Sequence, residues 1–101
     1  MSVYLMLTTL TDAGRKALQE DPESVKDINK EVEFMGVKIL DQYALLGQYD
    51  FVNIIEAPSD EVAAKIAIKL SATGTVLPMT LSAIPLDNLV DSLKKGGKTP
   101  W

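Results

Sequence analysis

Apolar residues recur along the chain with two different periods, and the switches between them mark the elements. Val3-Tyr4-Leu5-Met6-Leu7-Thr8-Thr9 is rich in β-branched and aromatic residues and too short for a helix, so it predicts a buried strand. Thr11 is placed to cap a short helix that begins near Asp12. Asp21-Pro22-Glu23 then starts a longer helix with proline at its first position. In it Val25, Ile28, Val32 and Met35 fall at spacings of three, four and three, an apolar stripe with lysines and acids opposite. Gly36 ends it.

From Val37 to Leu46 the pattern reads as a mixed strand, followed by Gly47-Gln48 and then Phe51-Val52-Asn53-Ile54-Ile55, an antiparallel hairpin with glycine supplying a positive φ. Ser59 caps a helix with Asp60 and Glu61 in its first turn, at the positive end of the macrodipole. Its apolar face is Val62, Ile66, Ala67 and Leu70, and Gly74 follows its end. The last strand runs from Thr75 to Ile84, and Pro78 within it argues for a sheet edge, because proline cannot donate to a ladder. A short helix from about Leu86 to Lys94 closes a single domain, residues 1–94, and residues 95–101, ending in Trp101, are expected to form a flexible tail.

The order is therefore βαββαβ plus a C-terminal helix. Right-handed crossovers turn it into an α+β, ferredoxin-like split βαβ fold: a four-stranded antiparallel sheet with both long helices on one face. On the two strands expected at the centre, alternation groups Leu5, Leu7, Val52 and Ile54 against Tyr4, Met6, Thr8, Phe51, Asn53 and Ile55. The first set is expected to meet the helices. The second is still largely apolar, and the simplest cover is a second copy, giving a homodimer that encloses a space between two sheets. A small-molecule pocket is expected in that space.

Composition narrows the chemistry. With 101 residues, 47% apolar and 24% charged, the chain has the make-up of one ordinary globular domain. It contains no cysteine and no histidine, which removes thiolate chemistry, disulfides, the usual imidazole base and the usual transition-metal ligands. No metal site and no cofactor are expected. Fourteen acids against ten bases leave a net charge of −4, and Arg15 is the one guanidinium, so nucleic acid is not an expected partner. The apolar start from Val3 to Leu7 has no basic flank and is too short for a signal peptide or a membrane span, so a cytoplasmic protein is expected.

Gly47-Gln48-Tyr49-Asp50-Phe51-Val52-Asn53, followed by Glu56-Ala57-Pro58-Ser59-Asp60, resembles the hallmark of the GYD family. Tyr4 with Leu7-Thr8 and Leu10-Thr11, Gly14-Arg15, Gln42 to Leu46, and Gly74-Thr75-Val76 through Thr80 to Pro85 extend the likeness over roughly residues 4 to 90. The resemblance implies a dimeric α/β barrel and assigns no activity.

Asn53 is the sharpest anomaly, a polar amide inside an apolar strand that needs a partner if buried: a ligand, a catalytic contact or a group across the dimer. Tyr49 and Asp50 place a phenol and an acid at the mouth of the barrel, although Asp50 beside a tight turn is more ordinarily a hydrogen-bond acceptor for backbone amides. Tyr43 reaches the uncovered face if its strand alternates as Ile39, Asp41, Tyr43, Leu45, either toward a ligand or as an interface aromatic. Tyr4, Thr8 and Phe51 border the same space, with Thr80 adding a hydroxyl. The leading reading is a stand-alone module binding a small apolar or aromatic metabolite between the sheets. The alternatives are a cofactor-independent enzyme resembling monooxygenases or isomerases with the same barrel, and a structural assembly subunit.

Overall fold

The computed structural model describes residues 1–95. Its elements follow the expected order: β1 (Ser2–Leu10), α1 (Asp12–Glu20), α2 (Ser24–Phe34), β2 (Lys38–Ala44), β3 (Phe51–Ala57), α3 (Asp60–Ala72), β4 (Val76–Ala83) and α4 (Leu86–Lys95). The expected tail, with Trp101, lies outside the described residues except for Lys95, which belongs to α4. The strands form one antiparallel sheet in the order β2-β3-β1-β4, so β1 and β3 are central and Pro78 sits on an edge strand. This is the α+β, ferredoxin-like arrangement.

The helix starts follow local chemistry. Thr11 precedes α1 in an extended conformation, and its hydroxyl accepts the Gly14 N–H at 3.1 Å while donating to the Gly74 carbonyl at 2.7 Å. Ser59 accepts the Val62 N–H at 3.3 Å and starts α3. α2 begins at Ser24, after a turn rather than at Pro22: Asp21 accepts the Glu23 N–H through its side chain at 3.2 Å and the Ser24 N–H through its backbone at 3.0 Å. Gly14 is buried where α1 crosses the start of β4, and a Cβ there would stand 2.0 Å from the Thr75 carbonyl oxygen. Only glycine lets the two backbones approach that closely.

The grouping of strand residues into two faces is as expected, but the faces are exchanged. Tyr4, Met6, Thr8 and Ile55 are buried against Val32 of α2 and Ala63, Ile66 and Leu70 of α3. The open face carries Leu5, Leu7, Val52 and Ile54, paired across the sheet with one another and with Met79 and Leu81. Alternation cannot choose between two apolar sets. The polar members Tyr4, Thr8 and Asn53 suggested the open side; in the fold Tyr4 finds an acceptor at the start of α3, and Thr8 and Asn53 border a cavity. A register irregularity between Ile39 and Asp41 also moves Ile39 to the helix side while Asp41 and Tyr43 stay on the open one.

Candidate functional site

Beneath the helices lies a cavity of about 250 Å³. Its floor is the middle of the sheet, with Met6 and Thr8 from β1, Phe51, Asn53 and Ile55 from β3, and Ile39 and Gln42 from β2. Its roof is the apolar stripe of α2, Val25, Ile28 and Val32, continued by Ala17 and Leu18 of α1 and closed at one end by Ile66 and Leu70 of α3. The wall is overwhelmingly apolar, and among the described residues it contains no lysine or arginine. At the solvent side the amides of Asn29 and Gln42 bond reciprocally at 2.8 and 2.9 Å, tying α2 to β2.

Two polar atoms of this floor have no hydrogen-bond partner among the described residues: Thr8 Oγ1 and Asn53 Oδ1. Thr8 is only 5% exposed. Asn53 and Thr80 both stand opposite Met6, on neighbouring strands. Thr80 Oγ1 is likewise buried and unpartnered but does not line the cavity.

The seven residues expected to form one site divide between two surfaces. Asn53, Thr8 and Phe51 line the cavity. Tyr4 shares their side of the sheet but lies beyond the cavity wall, where its hydroxyl donates to Asp60 Oδ1. That hydrogen bond first, then burial, then the charges of Asp60 and Glu61, hold the Tyr4 phenol above its ordinary pKa, with a hydrogen bond to Ser2 opposing. Tyr43 is 57% exposed on the opposite, open face, paired with Val52. The Tyr49 hydroxyl approaches Met79 Sδ, at 3.9 Å, on that open side. Asn53, Tyr43 and Asp50 do not converge.

Asp50 is occupied by the backbone. Its carboxylate accepts the Leu10 N–H at 2.7 Å, its own N–H donates to the Thr8 carbonyl at 2.9 Å, and its carbonyl accepts the Leu45 N–H at 2.8 Å. It therefore extends the β1–β3 ladder past the first residue of β3 and closes the β2–β3 hairpin. Gly47, at φ 124°, turns that hairpin in a conformation that L side chains rarely adopt. The Gly-x-Tyr-Asp step is thus a joint between three strands.

A second feature is the uncovered apolar surface. Leu77, Met79 and Leu81 of β4 are exposed on the open face beside Leu5, Leu7, Val52 and Ile54. α4 touches little of the domain: every one of its residues is exposed, yet Leu86, Leu89, Val90 and Leu93 form a stripe at helical spacing. Sequence reading placed this helix but missed its stripe, which the spacing of three, one and three does reveal. The Asn29–Gln42 pair had no local signal, since its members lie on separate elements.

The hairpin joint and the sheet it organises fall within residues 4–93, which match the family model of the GYD domain. The chain belongs to the GYD domain family. This GYD domain is also 43% identical over 95 residues, covering 93% of its own length and 100% of the relative's, to the "Glutamine synthetase and cystathionine beta-lyase binding protein" of Thermus thermophilus. No solved structure matches it significantly. Among the described residues of the GYD domain, no cluster of carboxylates could hold a metal ion, and no helix is long and apolar enough to cross a membrane.

Proposed function

We propose that this protein is a homodimeric binding module that docks on an enzyme of metabolism, of the kind named for its relative: glutamine synthetase or cystathionine β-lyase. The observation that carries the reading is the open sheet face. Its apolar part is carried by β3, β1 and β4, and three strands of about seven residues, at roughly 4.8 Å between strands and 3.3 Å per residue, span roughly 330 Å² in plan. An exposed apolar patch of a few hundred Å² is often functional. The exposed stripe of α4 is further apolar surface, and a stable interface takes roughly 800 Å² per partner.

The case for a second copy therefore rests on Leu5, Leu7, Val52, Ile54 and the outward residues of β4, not on Tyr4, Met6, Phe51 and Ile55, which the helices cover. Two such sheets are self-complementary, as an isologous contact requires. Tyr43 and Tyr49 border this surface as interface aromatics. The identity across the relative's full length supports an enzyme as the further partner, and a cytoplasmic location belongs to the same proposal.

Two measurements test the reading separately. Sedimentation velocity should give a dimer at micromolar concentration; a stable monomer sinks the assembly. Calorimetric titration of the purified chain into glutamine synthetase and into cystathionine β-lyase should give saturable binding to at least one. Heat of dilution alone for both removes the enzyme partner while leaving the dimer standing.

A further inference from the structure

We propose that the cavity beneath the helices is a ligand site of its own, taking a small, neutral, largely apolar molecule that carries one hydrogen-bond donor. Protein interiors are close-packed, and voids larger than a water molecule are few. A space of about 250 Å³ is many times the roughly 10–15 Å³ that a single water needs. Such a space between apolar walls offers few of the two to four polar partners each water needs, so it suits an organic occupant better than a water cluster.

The chemistry of the occupant follows from what the wall lacks. Buried polar atoms in folded proteins nearly always have a partner, and Asn53 Oδ1 and Thr8 Oγ1 have none among the described residues. Asn53 Oδ1 accepts, so the ligand must donate, through an amide, indole or hydroxyl hydrogen. The Thr8 hydroxyl can either donate or accept, and so serves a second polar atom of the same ligand. Among the described residues no cation lines the wall and Asp27 is its one charged residue, which disfavours carboxylates and phosphates. The volume falls below the roughly 300 to 1,000 Å³ of drug-sized pockets, so the ligand is about the size of a small bicyclic ring. This site lies on the opposite side of the sheet from the proposed dimer face, so one can be occupied without the other.

Indole and indene test this, because they share a shape and differ in the N–H. Amide shifts of the isotope-labelled chain are followed by NMR during titration with each. Indole should give saturable shifts at Thr8, Asn53 and the α2 residues around Ile28, and indene should bind about tenfold more weakly for want of one hydrogen bond. Asn53→Leu, of similar volume, should bring indole down to the affinity of indene; if that variant does not fold, Asn53→Val should weaken indole in the same direction. Equal binding of the two probes, shifts confined to the open face around Leu5 and Val52, or no saturable shift up to the solubility of indole would each overturn the assignment.

Discussion

Replacing Asp50 by alanine decides whether the Gly-x-Tyr-Asp step is a structural joint or part of a site. Alanine removes the acceptor of the Leu10 N–H, now 2.7 Å from a carboxylate oxygen, and leaves the two backbone bonds of residue 50 in place. A hydrogen bond to a charged group contributes about 1.5–3 kcal/mol, and Leu10 is half-buried, so water compensates in part and about 2 kcal/mol is expected. In a domain of this size each kcal/mol moves Tm by roughly 4–8 °C, which puts Asp50→Ala about 8–16 °C below the parent. Asp50→Asn keeps an acceptor but loses its charge, and charge-assisted bonds are about twice as strong as neutral ones, so it should fall by about half as much. Thermal unfolding by circular dichroism at one fixed protein concentration is the assay, since a dimer's Tm depends on concentration. Tm values for both variants within about 2 °C of the parent would refute the joint, and so would lost enzyme binding at unchanged stability.

Gly14→Ala should cost about 3 kcal/mol or prevent folding, because its Cβ would meet the Thr75 carbonyl oxygen at 2.0 Å with backbone on both sides; a Tm equal to the parent's would contradict the packing of α1 on β4. The raised pKa of Tyr4 means that its protonated phenol contributes stability that is fully present below about pH 10 and is lost as pH rises through the higher folded-state value. Tyr4→Phe should therefore flatten the alkaline limb of a Tm-against-pH curve and leave its neutral part parallel to the parent's; identical alkaline limbs would count against the Asp60 contact. Leu81→Glu, at a position exposed in the single chain and opposite Leu5, should leave the fold intact and convert the proposed dimer to monomer in sedimentation velocity, and an unchanged mass would exclude the open face from the interface.

Local chemistry alone determined most of this architecture. Period-two and period-3.6 stretches, the Thr11 and Ser59 caps, Gly47 in its hairpin and Pro78 on an edge each depend on a few neighbouring residues, so strand order and helix placement were legible before any contact was known. The role of Asp50 was legible for the same reason, since a carboxylate beside a tight turn has backbone amides within reach. Which side of the sheet the helices cover was not. Both residue sets of β1 and β3 are apolar, and the choice depends on how the crossover helices pack, which leaves no mark in the pattern. That choice moved Asn53 and Thr8 from a supposed dimer face to the floor of a cavity and parted them from Tyr43 and Tyr49. The cavity itself is the gap between α2, α1 and the sheet, a distance between elements far apart in sequence, and only the packed structure determines it.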